Sequence, residues 1–127
     1  MKLNFYLFLR LIIAALLIQT LYFKFSAHPD SVYIFTKVGM EPYGRIGIGV
    51  LELISALLIL NKNTIWAGAF LSSGIISGAV LMHLTDLGIE INNDGGRLFY
   101  MALLVLLLSL IVLFIERKNI PFLGSKI

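Results

Sequence analysis

The sequence contains no cysteine and only two histidines, His28 and His83. The first absence excludes membrane enzymes of disulfide exchange, which need paired thiols, and thiolate-bound metal clusters. The second leaves little for a metal or haem. His28 falls in a loop, no close-spaced pair such as H-E-x-x-H occurs, and a second axial histidine within a span is missing. No metal site is expected. Charge is also scarce, at 13% of residues against 59% hydrophobic ones, with a mean hydropathy of +0.96. A water-soluble domain of 127 residues cannot cover that much apolar surface with so few charges, so the expected solvent is lipid. The net charge of +3 comes from scattered Lys and Arg, with no basic patch interleaved with aromatics. Nucleic acid is therefore not an expected partner.

Long apolar runs take up most of the chain. They fall at about 5–25, 44–60, 64–84 and 98–115, each near the ~20 residues that cross a hydrocarbon core as a helix. Helix is the expected form, because lipid offers nothing to an open backbone hydrogen bond. The N-terminal run has Lys2 before it, like a secretory leader. Arg10 interrupts it, however, and "FSA" at 25–27 places a bulky residue where a cleavage site needs a small one. The reading is a retained span. The whole chain, 1–127, is expected to form one all-α domain, a four-transmembrane-helix bundle.

Two connections are long. In "SAHPDSVYIFTKVGMEPYG" (26–44), Pro29 suits a first helical turn with Asp30 and Ser31 beside it. Val32, Phe35 and Val38 follow near helical spacing, and Gly39 suits the stop. The spacing predicts a short amphipathic helix in the first outer loop, lying at the interface or folded back over the bundle. "TDLGIEINNDGGR" (85–97) is polar and glycine-rich, whereas "NKNT" (61–64) is a tight turn between antiparallel neighbours. Lys2, Lys62, Arg117, Lys118 and Lys126 share one side, against Lys24, Lys37, Arg45 and Arg97 on the other. The small excess of Lys and Arg places both termini in the cytoplasm. Trp66 falls at the cytoplasmic start of the third span, with Tyr43 and Tyr100 at the outer belt.

Charges inside spans cost at least ~2.5 kcal/mol near the bilayer centre, so they must face protein or water. Helical phase gathers them. Arg10, Ala14, Leu17, Leu21 and Lys24 share one face of the first span. Arg45, Gly49, Glu52 and Ala56 share a face of the second, with Glu52 about 10 Å below its outer start at ~1.5 Å per residue. Ser72, Ile76, Ala79 and His83 share a face of the third, with Asp86 one turn on. The fourth span looks largely lipid-facing. Lys24, Arg45, Glu52, His83 and Asp86 are thus the candidate site, a polar pocket opening outward. Two readings stay open: the cluster only fixes helix register, or it holds the polar head of a quinone, a lipid or another small molecule. Gly49, Gly74 and Gly78 are the candidate packing glycines. Gly74-x-x-x-Gly78 suits an internal helix contact or a homo-oligomer face, the former favoured because a central helix needs both faces covered.

The stretch "LYFKFSAHPDSVYIFTKVGMEPYGRIGIGVLELISALLIL" (21–60) resembles the DoxX and DoxX-like family. The resemblance is carried by Lys24 closing the first span, His28-Pro29 opening a short helix, Gly39, Gly49 and Glu52-Leu53. "MHL" at 82–84 and Arg10 in the first span add to it. It implies a four-helix bacterial inner-membrane protein. Some members are small subunits of a thiosulfate:quinone oxidoreductase, and others associate with membrane redox or oxidative-stress complexes. The function expected from it is an accessory or small subunit of a quinone-linked system, with redox-complex subunits as partners and a quinone as the suggested cofactor. With no cysteine pair and no cofactor motif, the chain is not expected to be an enzyme on its own. The alternative is a non-catalytic scaffold or assembly factor that binds a protein partner.

Overall fold

The computed structural model describes residues 2–121, with side chains from Phe5 onward. Lys126 and the side chain of Lys2, both used above for orientation, lie outside the described residues. Five α-helices follow one another: α1 (Lys2–Phe25), α2 (Pro29–Lys37), α3 (Tyr43–Leu60), α4 (Ile65–Met82) and α5 (Arg97–Ile115). A π-helical turn, His83–Leu87, prolongs α4. Four of the helices are long and apolar enough to cross a membrane, Phe5–Phe25, Tyr43–Leu60, Ile65–Leu87 and Arg97–Ile115. Exposed Phe, Leu and Ile side chains cover their outer surfaces, which suits lipid as solvent.

α3 packs between α1 and α4, α4 between α3 and α5, and a slimmer seam between α5 and α1 closes the ring. The core runs along its axis, through Ile13, Ala14, Leu17, Ala56, Ile59, Ala69, Ile76, Val105 and Val112. The expected face of α1 is the buried one: Arg10, Ala14, Leu17 and Leu21 are all enclosed. α5, expected to face mainly lipid, contributes more than that. Phe99, Val105, Ser109 and Val112 are buried, and Ser109 Oγ lies 2.8 Å from Ser72 Oγ of α4. A hydroxyl pair of this kind ties two helices where no water competes.

The glycines divide differently from their sequence pattern. A Cβ at Gly49 would sit 2.7 Å from the Phe25 ring, so this glycine does admit a neighbour. At Gly74 and Gly78 a Cβ would meet nothing within 4 Å. The favoured internal contact through these two is therefore not made. The close approach belongs to Gly68, where a Cβ would lie 2.5 Å from the Ile59 backbone nitrogen and 2.9 Å from the Ser55 carbonyl oxygen. Backbone cannot move aside as a flexible side chain can. Gly68→Ala is expected to force α3 and α4 apart and cost about 1–3 kcal/mol, while Gly74→Ala, whose Cβ meets nothing, is expected to cost nothing and to raise stability by up to about 1 kcal/mol. Thermal unfolding in mild detergent separates the two.

Polar side chains close the helix ends. Arg10 donates from Nε to Ile59 O and from Nη2 to Leu60 O, both at 2.8 Å, and Thr64 Oγ1 donates to Leu58 O at 2.8 Å. The last carbonyls of α3 have no helical partner of their own, and a cation there also opposes the negative end of the helix dipole. At the same end of the bundle, Tyr6 donates to Glu116 Oε2 at 2.6 Å, joining the start of α1 to the end of α5.

Candidate functional site

The opposite end of the bundle holds a cavity of about 250 Å3 that all four long helices and α2 enclose. Its lower wall is apolar, with Leu16, Ile75, Ile76, Met101, Ala102 and Val105. Its polar members are Thr20 and Lys24 from α1, Ser31 and Asp30 from α2, Glu52 from α3, His83 from the π turn and Arg97 from α5. The size lies just under the ~300 Å3 lower bound typical of small-molecule sites, enough for a head group or a single ring.

α2 forms the roof. His28 caps it, its Nδ1 accepting from Asp30 N at 3.1 Å, and its ring packs edge-on against Phe23. Pro29 opens the first turn, and Gly39 follows the end at φ +76°, a conformation that costs glycine nothing. The helix is folded back over the bundle, one of its two expected positions. Its inward face is Ser31, Ile34, Phe35 and Val38. Val32, expected on that face with Phe35 and Val38, borders a shallow groove on the other side. Asn92 donates to Asp30 Oδ1 at 2.7 Å and ties the roof to the loop before α5.

Of the five expected site residues, three meet at the cavity. Lys24 Nζ lies 2.9 Å from Glu52 Oε1, an ion pair whose carboxylate is enclosed. Thr20 Oγ1 stands 3.4 Å from the same oxygen but gives its proton to Leu17 O at 2.7 Å. His83 is buried, its ring edge-on to Phe99, and its Nδ1 lies 3.0 Å from Gly88 O. Arg45 is not Glu52's partner. It is buried, but its Nε pairs with Glu41 at 2.8 Å, and its Nη1 donates to Lys24 O at the end of α1. It is a helix cap, the counterpart of Arg10 at the other end. Asp86 is exposed and stands apart from the cavity. Sequence reasoning missed Thr20, Asp30, Arg97 and the whole α5 wall. Among the described residues, no group of three His, Asp or Glu side chains is placed to hold a metal ion.

The loop between the π turn and α5 fixes one rim of the cavity. Ile91 is fully buried. Asp94 Oδ1 accepts from Ile91 N at 3.1 Å and Gly96 N at 2.7 Å, and Oδ2 from Leu98 N at 3.3 Å. Desolvation pushes the Asp94 carboxyl up, but the backbone N–H groups of Ile91, Gly96, Leu98 and Arg97 together outweigh it and hold it below its ordinary value. A depressed carboxyl contributes its stability above its unfolded pKa and loses it as pH falls through the folded one. Amide protection at Gly96 and Leu98 is therefore expected to stay constant at neutral pH and to drop only in acid below the usual carboxylate range. Asp94→Ala removes that protection at every pH. Hydrogen exchange followed by mass spectrometry reads both effects. Comparison with family models, with curated proteins and with solved structures finds no match for this chain.

Proposed function

We propose that this chain is a multi-pass inner-membrane protein with cytoplasmic termini, which holds the polar end of a quinone, lipid or similar small amphiphile under α2. It would serve a membrane redox system as an accessory or small subunit, as some DoxX-like proteins do. The redox role is supported by the sequence resemblance. The ligand-site part rests chiefly on one observation: a buried Lys24–Glu52 ion pair forms the wall of a mostly apolar cavity. Charge inside a span is costly, and this pair stands at the edge of open space within the bundle instead of being sealed in by packing. A few polar groups converging on an apolar hollow is the usual form of a small-molecule site.

The cysteine-free sequence makes the test clean. Ala79→Cys places one thiol on the cavity wall. In membranes, N-ethylmaleimide should label it, and added decylubiquinone, decylubiquinol or a membrane lipid extract should slow the labelling. A rate that no additive changes removes the ligand-site reading.

A scaffold function has its own observation. Phe70, Gly74 and Leu81 lie along one exposed face of α4, with Gly78 where that face meets the cavity, a surface on which another helix can approach closely. Under this reading a partner protein co-purifies with Lys24 and Glu52 variants but is lost from Gly74→Leu.

A further inference from the structure

We propose that the cavity selects a ligand whose polar end is a hydroxyl, a phenol or quinol in place of a quinone or a carboxylate. The inference rests on the reading of the cavity as a ligand site and goes on to the chemistry of what fills it. It follows from which hydrogen-bonding atoms are already used. A carbonyl oxygen only accepts, so the contact between His83 Nδ1 and Gly88 O puts the ring proton on Nδ1. In the neutral imidazole, Nε2 is then an acceptor. Among the described residues it has no hydrogen-bond partner. Glu52 is in a like position. Its Oε1 takes Lys24 and faces Thr20, while Oε2 has no partner.

Both residues are more than nine-tenths buried, Glu52 2% and His83 5% exposed. Yet neither of these atoms is sealed off. The sealed, partnerless side-chain polar atoms among the described residues are Ser55 Oγ and Ser73 Oγ. Glu52 and His83 both line the cavity, so its open space is what their free lone pairs meet. The buried wall therefore offers two acceptors that want a proton. Lys24 keeps N–H bonds for an oxygen lone pair, and Arg97, with no ion pair among the described residues, adds further donors at the exposed rim. A hydroxyl gives its one proton to one of the two acceptors and takes from Lys24 or Arg97. A quinone carbonyl or an ether only takes, and leaves the acceptors unmet in a place where an unmet polar group is costly. A carboxylate meets Glu52 with like charge.

The test uses the full chain in phosphatidylcholine nanodiscs, with empty nanodiscs as the blank. Two matched pairs serve as probes: 4-octylphenol against its methyl ether, and decylubiquinol against decylubiquinone. Titration calorimetry should show the hydroxyl member of each pair binding roughly tenfold tighter or more. The 15N resonance of His83 Nε2 should move on phenol binding, with His28 the only other imidazole. His83→Asn keeps a donor for Gly88 O while removing the Nε2 acceptor. It should remain folded, with a melting temperature lowered only by the lost ring contact with Phe99, and lose most of the preference. Equal or tighter binding of the ether and the quinone overturns the hydroxyl selection and leaves the ligand site standing. No binding of any of the four overturns both.

Discussion

Lys24→Met is expected to be the most damaging single substitution near the cavity, costing about 3–5 kcal/mol. It leaves the Glu52 carboxylate, whose side chain is 3% exposed, without its cation. Glu52→Leu should cost less. Lys24 sits in the last turn of α1 with its side chain 15% exposed, and a lysine can swing its ammonium toward water while its stem stays packed. The double variant Lys24→Met/Glu52→Leu should recover most of the loss, because two apolar side chains of similar volume replace a pair whose desolvation consumed much of its attraction. Unfolding of the four proteins in one detergent gives the cycle directly. A double variant as unstable as Lys24→Met would mean that the pair is a structural requirement of the bundle.

Arg10→Leu is expected to be comparably severe for a different reason. The arginine makes two charge-assisted hydrogen bonds to the end of α3, to Ile59 O and Leu60 O. Its removal leaves those carbonyls with no donor at the negative end of a helix. A buried acceptor without a partner costs about 1–3 kcal/mol, so a loss of about 3 kcal/mol is expected for the two together. Arg10→Lys should recover only part of this, since an ammonium cannot serve two carbonyls as a planar guanidinium does. The same unfolding assay measures it, and hydrogen exchange should place the damage in the last turn of α3 and the turn to α4. Ligand binding at the other end of the bundle should be unaffected, which distinguishes Arg10 from the cavity residues.

The two arginines show where sequence reasoning reaches its limit. Helical phase put Arg10 and Arg45 on inward faces, and both are buried. Phase does not say what lies opposite, and in each case it is the end of the neighbouring helix. Arg10 of α1 closes α3, and Arg45 of α3 closes α1. A carbonyl at a helix end leaves no mark in the composition, whereas Glu52 was an obvious partner for any cation. Asp86 was misplaced by geometry. Continuing α4 at the α-helical repeat carries Asp86 toward the face of His83. The π turn at His83–Leu87 winds more residues per turn and leaves Asp86 exposed.

Hydropathy located all four spans to within a few residues, because length and apolarity are properties of the local sequence. It left the buried face of α5 unreadable, since "MALLVLLLSLIVLFI" is apolar all round and carries no stripe. Ser109 was the one polar signal in it. Gly68 could have been found: it stands four residues before Ser72, on the face that leads to His83. The more conspicuous Gly74-x-x-x-Gly78 pattern drew the packing role instead, and that spacing is equally suited to a surface left open.

The central claim is that the cavity beneath α2 holds a molecule through the Lys24–Glu52 pair. Native mass spectrometry of gently extracted protein, wild type beside Lys24→Met/Glu52→Leu, tests it most directly. The account predicts a defined small molecule released from the wild type and missing from a double variant that is equally folded. The same molecule retained at the same occupancy in both proteins, or none in either, would contradict it.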